Sequence, residues 1–335
     1  MKNTSRLCTT LALAIVCLAT AAVGESAFAQ TSAVRIGTSS SGSVFYSLGV
    51  GLSTMLTHHA GIAATAEPVG GSTANVFAIG ADKVDLAIVN AGAAFDGIHG
   101  NKPFKAKIGV GLIAQGAPNL RQILVRVGSG IEKPEDLVGK TLIGKRPALP
   151  ELARITDALF KVYRIDPGKV RIVSTTNTGE AVKAIKSDTV DAVVMPGSAG
   201  ASYLQSLGRD GKIKFLDIPD DKMQAMMALL PKSMSRTKLP ANTYPGQDKA
   251  VNVFSFASYI VAASRLSEDT VYKVTKTLFD NLKEFHTFHG TAKKWTLQET
   301  LEDPKIPYHP GAVRYFREKK LWTPALEKAQ NELKG

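Results

Sequence analysis

The residues best suited to chemistry in this chain are a run of hydroxyls, a few glycines and one arginine. Thr38, Ser39, Ser40, Ser41, Gly42 and Ser43 form an uninterrupted polar loop. It separates a β-rich run, Val34-Arg35-Ile36-Gly37, from a helical pattern with Val44, Leu48, Leu52 and Leu56 four apart. A strand that feeds such a loop and then a helix N-terminus makes an anion cradle. The first-turn N–H groups lack intrahelical partners, the helix dipole favours negative charge, and the hydroxyls donate as well. Gly42 lets the backbone approach a ligand closely. The same residues would also serve as an ordinary helix cap, although six in a row exceed what a cap needs.

Arg146 is the sharpest single candidate. It follows a predicted strand into the loop Lys145-Arg146-Pro147-Ala148-Leu149-Pro150. A guanidinium there suits bidentate binding of a carboxylate, at roughly 1.5–3 kcal/mol for a charge-assisted bond. The competing reading is an exposed arginine or one paired with Glu151. Gly70-Gly71-Ser72-x-x-Asn75 reads either as a tight turn with a helix cap or as a second donor cluster beside the serine loop. Tyr46, in the first turn of the first helix, brings a hydroxyl near the cradle or else packs at its rim. Asn90 ends an apolar strand, where a neutral amide donates to a carboxylate or accepts from an amine.

Catalytic patterns are mostly missing. The chain has no G-x-S-x-G nucleophile elbow. Gly139 to Arg146 imitates a phosphate-binding P-loop, but Arg stands where Ser or Thr belongs and the glycines enclose a predicted strand. His286 and His289 have metal-like spacing near Glu284, without a third ligand. No cofactor and no metal are expected.

The elements that must position these groups alternate between strand-like and helix-like segments, which argues for α/β architecture. Val76 to Val89 is echoed 106 residues later by Val182 to Met195, with six identities, and both copies run through Asp-x-Val-Asp into an apolar strand. Ile36-Gly37 is echoed by Ile143-Gly144 at an offset of 107. Two lobes on one strand–helix plan explain both offsets. Ligands in open α/β sheets sit beyond the carboxyl ends of the strands. That rule nominates Thr38–Ser43 and Asn90–Ala94, with Asn90 and Ala91 foremost, in one lobe. In the other it nominates Lys145–Leu149 and Pro196–Ala199, with Pro196 and Gly197 foremost. Gln122–Val127 and Val251–Ala263 are expected to cross between the lobes, and Lys232–Asp248 reads as an irregular loop. The expected division is a leader over 1–29, one lobe from 30–125 plus 256–335, and the other from 126–255.

The leader carries Lys2 and Arg6, then a charge-free stretch from Leu7 to Val23, then Ala27-Phe28-Ala29 before Gln30. This is the pattern of a cleaved secretory signal, and its apolar stretch falls short of the ~20 residues of a spanning helix. Both cysteines, Cys8 and Cys17, fall inside it. Cys17 follows Val16 where a lipoprotein signal needs a small residue. The expectation is a periplasmic protein without disulfides that does not itself span the membrane. The net charge of +12 favours anionic partners. Export and the lack of a long Lys/Arg block argue against nucleic acid.

The strand–loop–helix from Ile36 to Gly49, Gly70-Gly71-Ser72…Asn75, Asp85 to Asn90, and Tyr308-His309-Pro310-Gly311-Ala312 together resemble the TAXI family. These are the substrate-binding subunits of one branch of TRAP transporters. The resemblance implies a two-lobed type II periplasmic-binding-protein-like fold, each lobe a doubly wound sheet with flanking helices, with hinge strands between. It also implies capture of a small organic anion, glutamate-like or dicarboxylate, and delivery to a TRAP membrane permease subunit. Carried over residue by residue, it puts Thr38, Ser40 to Ser43, Tyr46, Ser72 and Asn90 at the ligand. Two departures stand out. The first loop is serine-rich where the family has more glycine, and Lys145 to Pro150 replaces a Gly/Ser turn with a cation and two prolines. The alternatives are the binding subunit of an ABC importer and, from another class, an exported enzyme acting on an acidic substrate.

Overall fold

The computed structural model describes residues 33–334; the signal-peptide reading lies outside them. The first third of the fold runs β1 (Val34–Ser39), α1 (Val44–Ala60), β2 (Ala64–Gly70), α2 (Ser72–Gly80), β3 (Leu86–Asn90), α3 (Ala91–His99) and the long β4 (Val110–Arg126). The next part runs β5 (Thr141–Lys145), α4 (Glu151–Tyr163), β6 (Arg171–Ser174), α5 (Thr178–Lys186), β7 (Ala192–Gly197), α6 (Ser202–Arg209), β8 (Ile213–Phe215), α7 (Asp220–Met227), β9 (Ser235–Leu239) and β10 (Val251–Ala263). Five helices close the chain: α8 (Glu268–Asp280), α9 (Leu282–Phe285), α10 (Leu297–Leu301), α11 (Pro310–Glu318) and α12 (Pro324–Lys334).

The main strand order is β2-β1-β3-β10-β4-β7-β5-β6. The parallel triplet β2-β1-β3 and the parallel triplet β6-β5-β7 therefore repeat one plan, second-first-third, on either side of the antiparallel pair β10 and β4. β3 is buried at every residue, as expected of a parallel strand covered on both faces. No described helix is long and apolar enough to cross a membrane.

The sequence echo has a physical counterpart. Asp82 and Asp188 both adopt left-handed backbone, with φ of 54° and 56°. Three residues on, Asp85 and Asp191 each accept a backbone N–H from the first strand of their own half, Arg35 and Thr141, both at 2.9 Å. Aspartate tolerates this backbone because its short side chain satisfies local donors. Each turn fixes where its following strand, β3 or β7, enters the sheet.

Two expectations change. The segment Lys232–Asp248 contains β9, an exposed edge strand that pairs with β10 from Ser235 to Leu239. Its alternation is too polar to be legible as a strand. The crossing segment is also far longer than Gln122–Val127, because β4 begins at Val110 and pairs with β10 along both halves. The β4–β10 register shifts twice, between Phe256 and Ser258, opposite Asn119 and Gly116, and between Ile260 and Val261, opposite Ala114 and Leu112.

The motif Tyr308-His309-Pro310-Gly311-Ala312 is structural. His309 Nδ1 accepts the Gly311 N–H and caps α11, and Pro310 occupies its first turn. A Cβ on Gly311 would lie 2.4 Å from the Glu268 carbonyl oxygen, so glycine is what allows α11 to seat on α8.

Candidate functional site

The carboxyl ends of β1, β5 and β7 converge on a cavity of about 30 Å³. Its walls carry hydroxyls from Ser39, Ser43, Ser72, Thr178 and Ser198, an apolar side from Val44, Phe45, Leu149 and Pro196, and two guanidiniums, Arg121 and Arg146. Asn119, Gly197 and Tyr203 complete it.

Arg146 is 3 % exposed. Its Nε donates to the Thr176 carbonyl at 3.1 Å and its Nη1 to Thr178 Oγ1 at 3.0 Å. Nη2 donates to Ser40 Oγ at 2.9 Å and to the Gly70 carbonyl at 2.5 Å. The guanidinium thus ties β5 and its neighbours to the loops after β1 and β2. All four acceptors are neutral, and one N–H of Nη1 has no partner among the described residues. Burial, and then the charge of Arg121, hold its pKa down to about 10. The competing reading made from sequence does not hold in either form: Arg146 is neither exposed nor paired with Glu151.

Arg121 takes Glu151 instead. It is 1 % exposed on β4, and its Nη2 and Nε reach Glu151 Oε1 at 2.5 and 3.1 Å. Nη1 donates to the Leu120 carbonyl at 2.8 Å and to Asn119 Oδ1. Glu151 opens α4, where a carboxylate also complements the helix dipole. Arg121, Arg146 and Glu151 leave one positive charge unmatched.

The nominated residues separate into three groups. Ser39, Ser43, Ser72, Arg146, Pro196 and Gly197 line the cavity. Ser43 also caps α1 by accepting the Tyr46 N–H at 3.2 Å. Ser40 touches it indirectly, through Arg146. The others do not line it. Thr38 belongs to β1, is fully buried, and spends its hydroxyl on the Glu67 carbonyl. Ser41 and Gly42 form an exposed turn, with Gly42 at φ 80°, and Tyr46 is half-buried in the first turn of α1.

Asn90 sits behind the wall. Its Oδ1 caps α3 through the Ala93 N–H at 2.8 Å, its Nδ2 donates to Glu151 Oε1 at 3.2 Å, and its own N–H donates to Ser72 Oγ at 2.9 Å. Its side chain is committed at both ends, and Ala91 is simply the buried first residue of α3. Gly71 is a contact glycine: a Cβ there would lie 2.8 Å from the Ala148 carbonyl oxygen on the opposite loop. Asn75 is fully buried and donates to the Ile88 carbonyl at 2.9 Å, so the end of Gly-Gly-Ser-x-x-Asn supports β3.

Sequence reasoning missed Arg121, Glu151 as its partner, Asn119, Thr178 and Tyr203, while Ser198 falls inside the nominated loop Pro196–Ala199. Tyr203 donates its hydroxyl to the Pro196 carbonyl, and burial pushes its pKa up, so it stays a neutral donor. One signal was available. Arg121 interrupts the apolar run Leu120 to Val125, and a charge inside a buried strand needs a partner.

The NMT1-like family matches residues 36–319. Among solved structures, the chain is similar to the periplasmic binding protein BugD at a TM-score of 0.56 and 11% identity, covering 90% of this chain and 97% of that one. It is similar to MatC of Rhodopseudomonas palustris with bound malate at 0.54 and 11%, covering 89% and 98%. A binding-protein component of an ABC phosphonate transporter from Pseudomonas aeruginosa aligns at 0.50 and 13%, covering 90% and 99%. The fold is that of the type II periplasmic binding proteins.

Proposed function

The chain belongs to the NMT1-like family, and from that premise we propose that it is a periplasmic receptor for a small organic anion, which it delivers to a membrane permease. The carrying observation is Arg146, a buried cation with no carboxylate bonded to it among the described residues, joined to both halves of the sheet at one cavity. Burying a charge is costly unless it is paired. An anion at the unpartnered N–H of Nη1 supplies the missing charge. The N-termini of α1, α2 and α5 border the same cavity through Val44, Ser72 and Thr178 and add favourable dipoles.

The two lobes are residues 30–125 with 256–335, and 126–255. β4 and β10, the antiparallel neighbours between the two parallel triplets, act as the hinge strands. Ligand binding selects the closed arrangement, because only there do Ser40 and Gly70 meet Arg146. The resemblance to the TAXI subunits favours a TRAP-type secondary permease and names glutamate-like and dicarboxylate acids as first candidates. An ABC importer is the second reading, since one similar structure is a component of such a system. The residues lining the cavity include no His, Asp, Glu, Lys or Cys to act as a general base, which supports a receptor over an enzyme.

The test is native mass spectrometry of protein purified gently from its export compartment. A single small organic acid is expected on the wild type and not on Arg146→Ala. A neutral or cationic ligand on both would overturn the reading.

A further inference from the structure

We propose that the ligand is a short monoanion: one acidic head group on a small apolar body, with neither a second carboxylate nor an ammonium. This rests on the receptor reading and narrows it away from glutamate-like and dicarboxylate acids.

The charge count carries it. Two cations line the cavity, Arg121 and Arg146. Glu151 Oε1 neutralises the first, taking both Nη2 and Nε of Arg121 and the Asn90 amide as well. Arg146 meets only neutral acceptors. Among the lining residues and Glu151 one positive charge remains, and no Lys, His or third Arg lines the cavity; exposed Glu180 favours the Arg146 cation but does not line the cavity or bond to the guanidinium. A single carboxylate or sulfonate balances that charge. A second carboxylate would be buried against hydroxyls alone and would repel the first. An amino acid's ammonium would face two guanidiniums, with no carboxylate among the lining residues to receive it.

The rest of the wall agrees. Val44, Phe45, Leu149 and Pro196 offer an apolar surface to the body of the ligand. Ser43 and Ser72 already accept the N–H groups of Tyr46 and Asn90, which leaves their hydroxyl protons to donate to an acidic head. Polar groups that fix a head beside an apolar wall describe a small amphipathic acid.

Isothermal titration of the wild-type chain with matched acids tests this. The pairs are butyrate against succinate and lactate against malate; glutamate and propanesulfonate serve as further arms. The monoanion of at least one pair is expected to bind at least tenfold more tightly than its dicarboxylate partner, with glutamate weaker still. Propanesulfonate separates a general monoanion site from one shaped for carboxylate. Succinate, malate or glutamate binding as tightly as the monoanions, and losing affinity in Arg146→Ala, would overturn the monoanion assignment while leaving the receptor. Heat from none of these acids would overturn both. Glu151→Gln raises the charge of the site by one and is expected to move the preference toward succinate. Should that variant fail to fold, the wild-type comparison decides alone.

Discussion

Glu151 holds Arg121 through one oxygen: Nη2 at 2.5 Å and Nε at 3.1 Å both meet Oε1, which also receives the Asn90 amide at 3.2 Å. A strand, the first turn of α4 and the cap of α3 are joined at one buried atom. Glu151 is 5 % exposed and Arg121 1 %, so neither charge has water to fall back on. Removing one partner of a buried ion pair leaves the other uncompensated, at a cost of about 3–5 kcal/mol. Glu151→Ala is therefore expected to lose stability on that scale in chemical denaturation. A loss under ~1 kcal/mol, the value of a surface pair, would show that the junction is not a structural keystone.

Gly71 faces the Ala148 carbonyl across the cleft, and a methyl group there would sit 2.8 Å from it. Gly71 does not adopt left-handed backbone, so alanine is not strained within its own half. Gly71→Ala should fold with nearly unchanged melting temperature but hold the two sides apart. Ligand affinity is expected to fall at least tenfold, about 1.4 kcal/mol. Unchanged affinity would mean that this contact has no part in closure.

His309 supplies a pH dependence far from the site. Burial holds its imidazole below the ordinary value, against the opposing pull of Glu268. Between that lowered value and about 6.5, the unfolded chain binds a proton that the native chain does not. Stability therefore falls as pH drops through this window and levels off below the folded value. His309→Asn keeps a capping acceptor for α11 without the titration. Denaturation curves from pH 7.5 to 5 should show a shallower fall in the variant, the remainder coming from groups such as His289, which burial lowers as well. Parallel curves would remove His309 from the account.

The plan of the fold was legible because it rests on local pattern. The repeated Asp-x-Val-Asp turn locates β3 and β7, and apolar runs bounded by turns give the strands. The loops at strand ends follow from the α/β rule, and seven of their residues line the cavity. What was not legible depends on which side chains meet across the cleft. Sequence supplies Arg146, Glu151 and Arg121, but pairing Glu151 with Arg121 and leaving Arg146 unmatched is set by the path of β4. Thr38 and Asn90 have the right types at strand ends, yet backbone groups nearby claim their polar atoms first. β9 escaped because an exposed edge strand lacks an apolar face to announce it.

The central claim is that Arg146 serves the ligand more than the fold. Its pKa is depressed to about 10 because burial disfavours the cation, so the charged side chain is a burden on the ligand-free protein. Calorimetric titration of the acid identified by mass spectrometry, into wild type and Arg146→Ala, tests this directly. The expected result is at least a tenfold loss of affinity, about 1.4 kcal/mol or more, with unliganded melting nearly unchanged. Arg146→Lys should recover only part of it, since a point charge cannot span Thr176, Thr178, Ser40 and Gly70. Equal affinity in wild type and Arg146→Ala would contradict the account.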